Sequence, residues 1–91
     1  MSFITNVDAT GTSYKGTIHT KYSTLVAKFG PAGEGTSDGK TQAEWAIRFE
    51  NGVVATIYDW KQYDTPVEQV TEWNIGGYDN RALTYVRKIL G

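Results

Sequence analysis

Between Gln42 and Lys61 the chain reads QAEWAIRFENGVVATIYDWK, and strict alternation on both sides of Asn51-Gly52 restricts this stretch to a β-hairpin. Asn-Gly supplies the two positive φ angles of a type I′ turn, the strongest short-range hairpin signal. Pairing outward from a two-residue turn sets Glu50 opposite Val53, Arg48 opposite Ala55, Trp45 opposite Tyr58 and Glu44 opposite Asp59. One face then carries Trp45, Ile47, Phe49, Val54, Tyr58 and Trp60, too much aromatic area to leave in water. The other is mixed, with Glu44, Arg48, Glu50 and Asp59 around Ala46, Val53, Ala55 and Ile57.

The rest of the pattern supplies the layers that cover such a hairpin. The first 13 residues read either as a short strand through Phe3, Ile4 and Val7 or as a frayed terminus. Tyr14 to Thr20 is β-prone, and Tyr22, Leu25, Val26 and Phe29 then fall at helical spacing. With Thr20 as N-cap and Gly30-Pro31 as the stop, a helix over Lys21 to Phe29 is predicted. Residues 30–40, GPAGEGTSDGK, hold no large apolar side chain and read as a mobile surface loop. A turn around Pro66 separates the hairpin from a third strand, Val70 to Ile75, which Gly76-Gly77 is expected to end. A C-terminal helix from about Asp79, its N-cap, to Leu90 closes the chain. The order is β-α-β-β-β-α: one α+β domain over residues 1–91, a sheet of three to five antiparallel strands with two helices on one face.

Composition narrows function mainly by exclusion. Nine Lys and Arg against ten Asp and Glu leave a net charge of -1, which suits neither a duplex-coating protein nor an acidic mimic of nucleic acid. There is no Cys, hence no disulfide framework and no thiolate metal site. No leader-like or bilayer-spanning apolar run is present, so no membrane partner is expected. GEGTSDGKT resembles a phosphate loop superficially, but its glycine spacing fails the motif and a strand follows it. His19 is the lone histidine, and no Ser lies in a nucleophile-elbow context. Glu44 and Asp59, opposite each other in this register, form the one acid pair. With Arg48 beside them they read as a solvated charge network. No catalytic residue, metal or cofactor is therefore assigned.

The strongest binding signal is EWNIGGYDNR, where a strand runs through two glycines into a helix start and so aims bare amides at an anion. Gly76 and Gly77 permit close approach, Tyr78 offers a stacking face and Arg81 a donor fork. An alternative role for Tyr78 is to staple the helix to the core. Trp60, Lys61 and Tyr63 leave the hairpin toward the same side, and Lys40 ends the long loop. The expected ligand is small and nucleotide-like: Lys40, Lys61 and Arg81 on phosphates with the Gly76-Gly77 amides, and Trp60, Tyr63 and Tyr78 on bases. Ala46, Val53, Ala55 and Ile57 on the mixed hairpin face offer a homo-oligomer interface.

AKFGPAGEGTSDGKTQAEWAIRF, NGVVATIYDWK and TEWNIGGYDNRAL, in that order, resemble a family of small accessory proteins encoded in tailed-phage genomes, over about residues 14–90. The chain carries Asn74 where a His is common in that pattern, so no imidazole role transfers to this position. The resemblance implies phage origin and a place in the infected bacterial cytoplasm, and it supplies no catalytic residues. Phage proteins of this size include anti-defence factors, among them sponges for cyclic oligonucleotide or cyclic ADP-ribose immune signals. The expectation is thus a non-enzymatic sequestering protein, the alternative a protein-binding inhibitor of a host or CRISPR-type defence enzyme.

Overall fold

In the computed structural model, which describes residues 2–35 and 40–91, the chain forms an α+β domain. The elements are β1 (Phe3–Thr5), β2 (Ser13–His19), α1 (Tyr22–Phe29), β3 (Gly33–Glu34), β4 (Ala43–Phe49), β5 (Val54–Tyr58), β6 (Glu72–Gly77) and α2 (Arg81–Leu90). A 3₁₀ turn, Val67–Gln69, follows Pro66. All strand pairs are antiparallel, in the order β1-β4-β5-β6-β2. Phe3 to Thr5 is a strand and not a frayed end, and β3 pairs with the far end of β4. These two short strands raise the total among the described residues to six. Residues 36–39, at the centre of the loop read above as mobile, lie outside the described residues.

The hairpin forms, one residue out of the expected register. Phe49 N–H bonds Val53 O and Gly52 N–H bonds Phe49 O, both at 2.8 Å, so the loop is the three residues Glu50-Asn51-Gly52. Only Gly52 there has positive φ, +91°, which fits a type I turn closed by a left-handed glycine. Glu44 therefore faces Tyr58, Trp45 faces Ile57 and Arg48 faces Val54. A slip of one residue exchanges the two faces of the second strand. Val53, Ala55 and Ile57 join Trp45, Ile47 and Phe49 in the core, whereas Val54, Tyr58 and Trp60 go to the other side. The oligomer interface expected on Ala46, Val53, Ala55 and Ile57 is thereby removed, since Val53, Ala55 and Ile57 are buried in the core and only Ala46 of the four is half-buried. The Glu44–Asp59 pair is also removed: Glu44 stands on the face away from the helices, and Asp59 is fully buried.

Both helices pack on the core face. Leu25 and Phe29 of α1 and Ala82 and Val86 of α2 are buried against the sheet residues Trp45, Ile47, Phe49, Trp73 and Ile75. The two core indoles hold α1 at its ends, Trp73 Nε1 donating to Thr20 O at 3.1 Å and Trp45 Nε1 to Gly30 O at 2.8 Å. Their rings meet edge to face with centroids 5.5 Å apart. Thr20 is not the N-cap; Lys21 is, with no side-chain bond. At α2 the cap position is Asn80, one residue later than expected, while Asp79 Oδ1 accepts the Arg81 N–H at 2.9 Å.

The opposite face is crossed by the chain itself. β1 and β2 sit at opposite ends of the strand row, four intervals or about 19 Å apart. Residues 6–12 must close that span, and fully extended they reach only about 25 Å, so the connection runs nearly straight over the sheet. Val7 N–H bonds Ala46 O at 3.4 Å near one end, and Thr10 O accepts the Tyr78 hydroxyl at 2.6 Å near the other. Thr56, on this outer face, is only 2% exposed.

Candidate functional site

Beside that crossing segment the outer face forms a hollow of about 250 Å³ whose lining includes Tyr14, Glu44, Thr56, Tyr58, Trp60 and Gly76. Its floor follows from register. Glu44, Tyr58, Asn74 and Thr17 form one transverse row on β4, β5, β6 and β2. The next row is Ala46, Thr56, Gly76 and Tyr14, whose small central members leave the depression. A Cβ on Gly76 would stand 2.4 Å from Thr56 Oγ1 and 3.6 Å from the Tyr58 ring, so the missing side chain is what keeps the floor low.

A polar chain runs along the first row. The Tyr14 and Thr17 hydroxyls share a 2.7 Å hydrogen bond, Thr17 donates to Asn74 Oδ1 at 3.4 Å, and Asn74 stands directly opposite Tyr58 in the ladder. Burial raises the pKa of the Tyr58 hydroxyl; the neighbouring Asn74 amide opposes this, and the nearby Glu44 and Tyr14 add to it. Glu44 ends the row. Desolvation raises its pKa, and its carboxylate has no hydrogen-bond or ion-pair partner among the described residues. The Trp60 ring stands edge to face with Tyr58, centroids 6.4 Å apart, and Lys61 Nζ lies 5.7 Å from the Trp60 centroid. The hollow is thus walled by aromatics and acidic inside, with cationic groups only at its rim.

The eight residues expected to form one site fall into two groups. Trp60, Lys61 and Lys40 are neighbours, Lys61 N–H bonding Lys40 O at 2.7 Å, with Tyr63 exposed in the turn just after them. Gly76 joins this group through the hollow floor. Gly77, Tyr78 and Arg81 belong to the other end of the sheet. Tyr78 stands four residues, about 13 Å, beyond the Tyr58 row. The glycine pair forms the last two residues of β6, paired on both sides before the strand ends at Gly77: Gly76 pairs with Tyr14 and Thr56, Gly77 with Ser13 and Ala55. Gly77 faces α2, where a Cβ would come within 2.4 Å of Ala82 Cβ. The Arg81 amide and guanidinium are both held by Asp79, and this exposed ion pair depresses the Asp79 pKa to about 2. The anion cradle read from EWNIGGYDNR is therefore filled by the chain's own groups.

Tyr14, Glu44, Thr56, Tyr58 and Asn74 were not named as ligand residues from the sequence. The signal was present: Val53, Ala55 and Ile57 are uniformly apolar and suit a core, whereas Val54, Thr56 and Tyr58 are mixed. A larger depression, about 340 Å³, lies beside β1, but its Ser2 and Glu50 side chains bond each other at 2.9 Å. Among the described residues no group of three or more metal-ligating side chains occurs, and no helix is long and apolar enough to cross a membrane. No protein-family model, curated protein or solved structure matches the chain.

Proposed function

We propose that the protein is a non-catalytic binding module that takes a nucleotide-derived small molecule base-first into the outer-face hollow and withholds it. The observation that carries this reading is the Glu44 carboxylate, unpaired among the described residues, beside the Tyr14, Tyr58 and Trp60 rings, with Lys61 at the rim. A phosphate inside would meet Glu44 and be repelled, whereas a flat ring stacks on the aromatics and leaves its phosphate to Lys61 and Lys40 outside. The size fits, since 250 Å³ lies below the range of drug-sized pockets and suits a single ring system. Joined to the phage-accessory resemblance, the reading is removal of a cyclic oligonucleotide or cyclic ADP-ribose immune signal in the host cytoplasm.

Titration calorimetry with mononucleotides, cyclic dinucleotides and cyclic ADP-ribose isomers tests it. Trp60 is 46% exposed while Trp45 and Trp73 are buried, so a fluorescence change on binding should vanish in Trp60→Phe. Absence of any binding below the millimolar range would exclude the proposal. The same exposure of Trp60, with Tyr63 and Tyr14 nearby, favours a second reading, a protein-binding inhibitor anchored by aromatic hot spots. Stoichiometric capture of one host enzyme, lost in Trp60→Ala, would establish that instead.

A further inference from the structure

We infer that the hollow selects guanine, Glu44 accepting two parallel N–H donors of the base edge and Tyr58 donating to the carbonyl beside them. This rests on the base-first reading of the hollow and goes beyond it by naming the base and the residues that read it.

The argument starts from donor and acceptor inventory. An ionised carboxylate only accepts, and it has two oxygens to offer. Glu44 spends neither on a described residue, and it lines the open hollow. The Tyr58 hydroxyl lines the same hollow, and a phenol oxygen carries one proton to donate, which rotation about the C–O bond can turn into the hollow. Glu44 and Tyr58 are directly opposed across the hairpin, a separation of about 5 Å between their Cβ atoms. The pair therefore presents two acceptors next to one donor.

Guanine's edge is the complement, an amino donor, a ring N–H donor and a carbonyl acceptor in sequence. Adenine has one amino donor beside a ring lone pair that would face the carboxylate. Cytosine likewise has a lone pair beside its amino group. Uracil places its single N–H between two carbonyls, each repelled by Glu44. Buried polar groups left unpaired by the wrong edge are what give such sites discrimination. Stacking on Tyr14, Tyr58 or Trp60 adds affinity without choosing among bases.

The test is calorimetric titration of GMP, IMP, AMP, CMP and UMP into the full chain and into Glu44→Gln and Tyr58→Phe, each checked for an unchanged circular dichroism spectrum. GMP should bind about tenfold or more tighter than AMP, CMP and UMP, with IMP, which lacks the amino group, in between. Glu44→Gln should bring GMP down to the level of AMP, and Tyr58→Phe should weaken GMP and IMP together. Equal binding of all five, or a GMP preference that survives Glu44→Gln, overturns the base assignment while leaving the base-first reading intact. If no nucleotide binds but tetramethylammonium does, both fall, and the hollow is an aromatic cation cage.

Discussion

Asp59 shows how one side chain holds the return of the long loop. Its Oδ1 accepts the N–H groups of Gln42 at 2.8 Å and Ala43 at 3.0 Å, while Oδ2 has no partner among the described residues. Asp59→Ala would strand two backbone donors and should cost about 2–4 kcal/mol in urea unfolding, whereas Asp59→Asn keeps the accepting oxygen and should cost less. Glu44 works in the opposite sense. Its folded pKa is raised above 4.5 by burial, so the folded state favours the protonated form. The corresponding stability is present below the unfolded pKa and lost as pH rises through the folded one. Glu44→Gln should therefore raise Tm at pH 7, with the difference closing toward pH 4. Asp79 is the reverse case, lowered from 3.8 to about 2 by Arg81. Asp79→Asn should lower Tm at neutral pH, and the gap should fade as pH falls from 4 through 2.

At the level of elements, the two adjacent glycines of β6 do different jobs because strand neighbours point to opposite faces. Gly77 lets Ala82 of α2 sit against the sheet, so Gly77→Ala should lift the helix and lower Tm by several degrees. Gly76→Ala adds its methyl on the outer face, against Thr56 Oγ1 and Tyr58, and should weaken ligand binding more than it lowers Tm. Much of this level was legible in sequence. Both helices, the stripe Tyr22, Leu25, Val26 and Phe29, and the strand carrying Trp73 and Ile75 follow from periodicity alone. The hairpin register did not, because Asn51-Gly52 serves a two-residue turn and a three-residue one equally well. That single residue of slip moved Tyr58 and Trp60 from the core to the outer face and hid the hollow. The β1 pairing with β4 was hard to read for a different reason: three residues carry too little periodicity, and their partner is more than 40 positions away.

For the whole molecule, β5 and β6 are flanked by strands on both sides and covered by α2, while β1 and β2 are edges. Hydrogen exchange should find the slowest amides in β5 and β6 and the fastest in residues 2–12. The sheet joins distant segments, Phe3 with Phe49 and His19 with Glu72, so folding should take milliseconds to seconds in stopped-flow experiments, with no need of a disulfide step. Thr12, at the end of the segment that crosses from β1 to β2, is also a wall of the hollow. A bound guest would touch the amino-terminal tether and the hairpin at once. Occupancy should then act as a latch, slowing exchange at residues 6–12 more than anywhere in the helices.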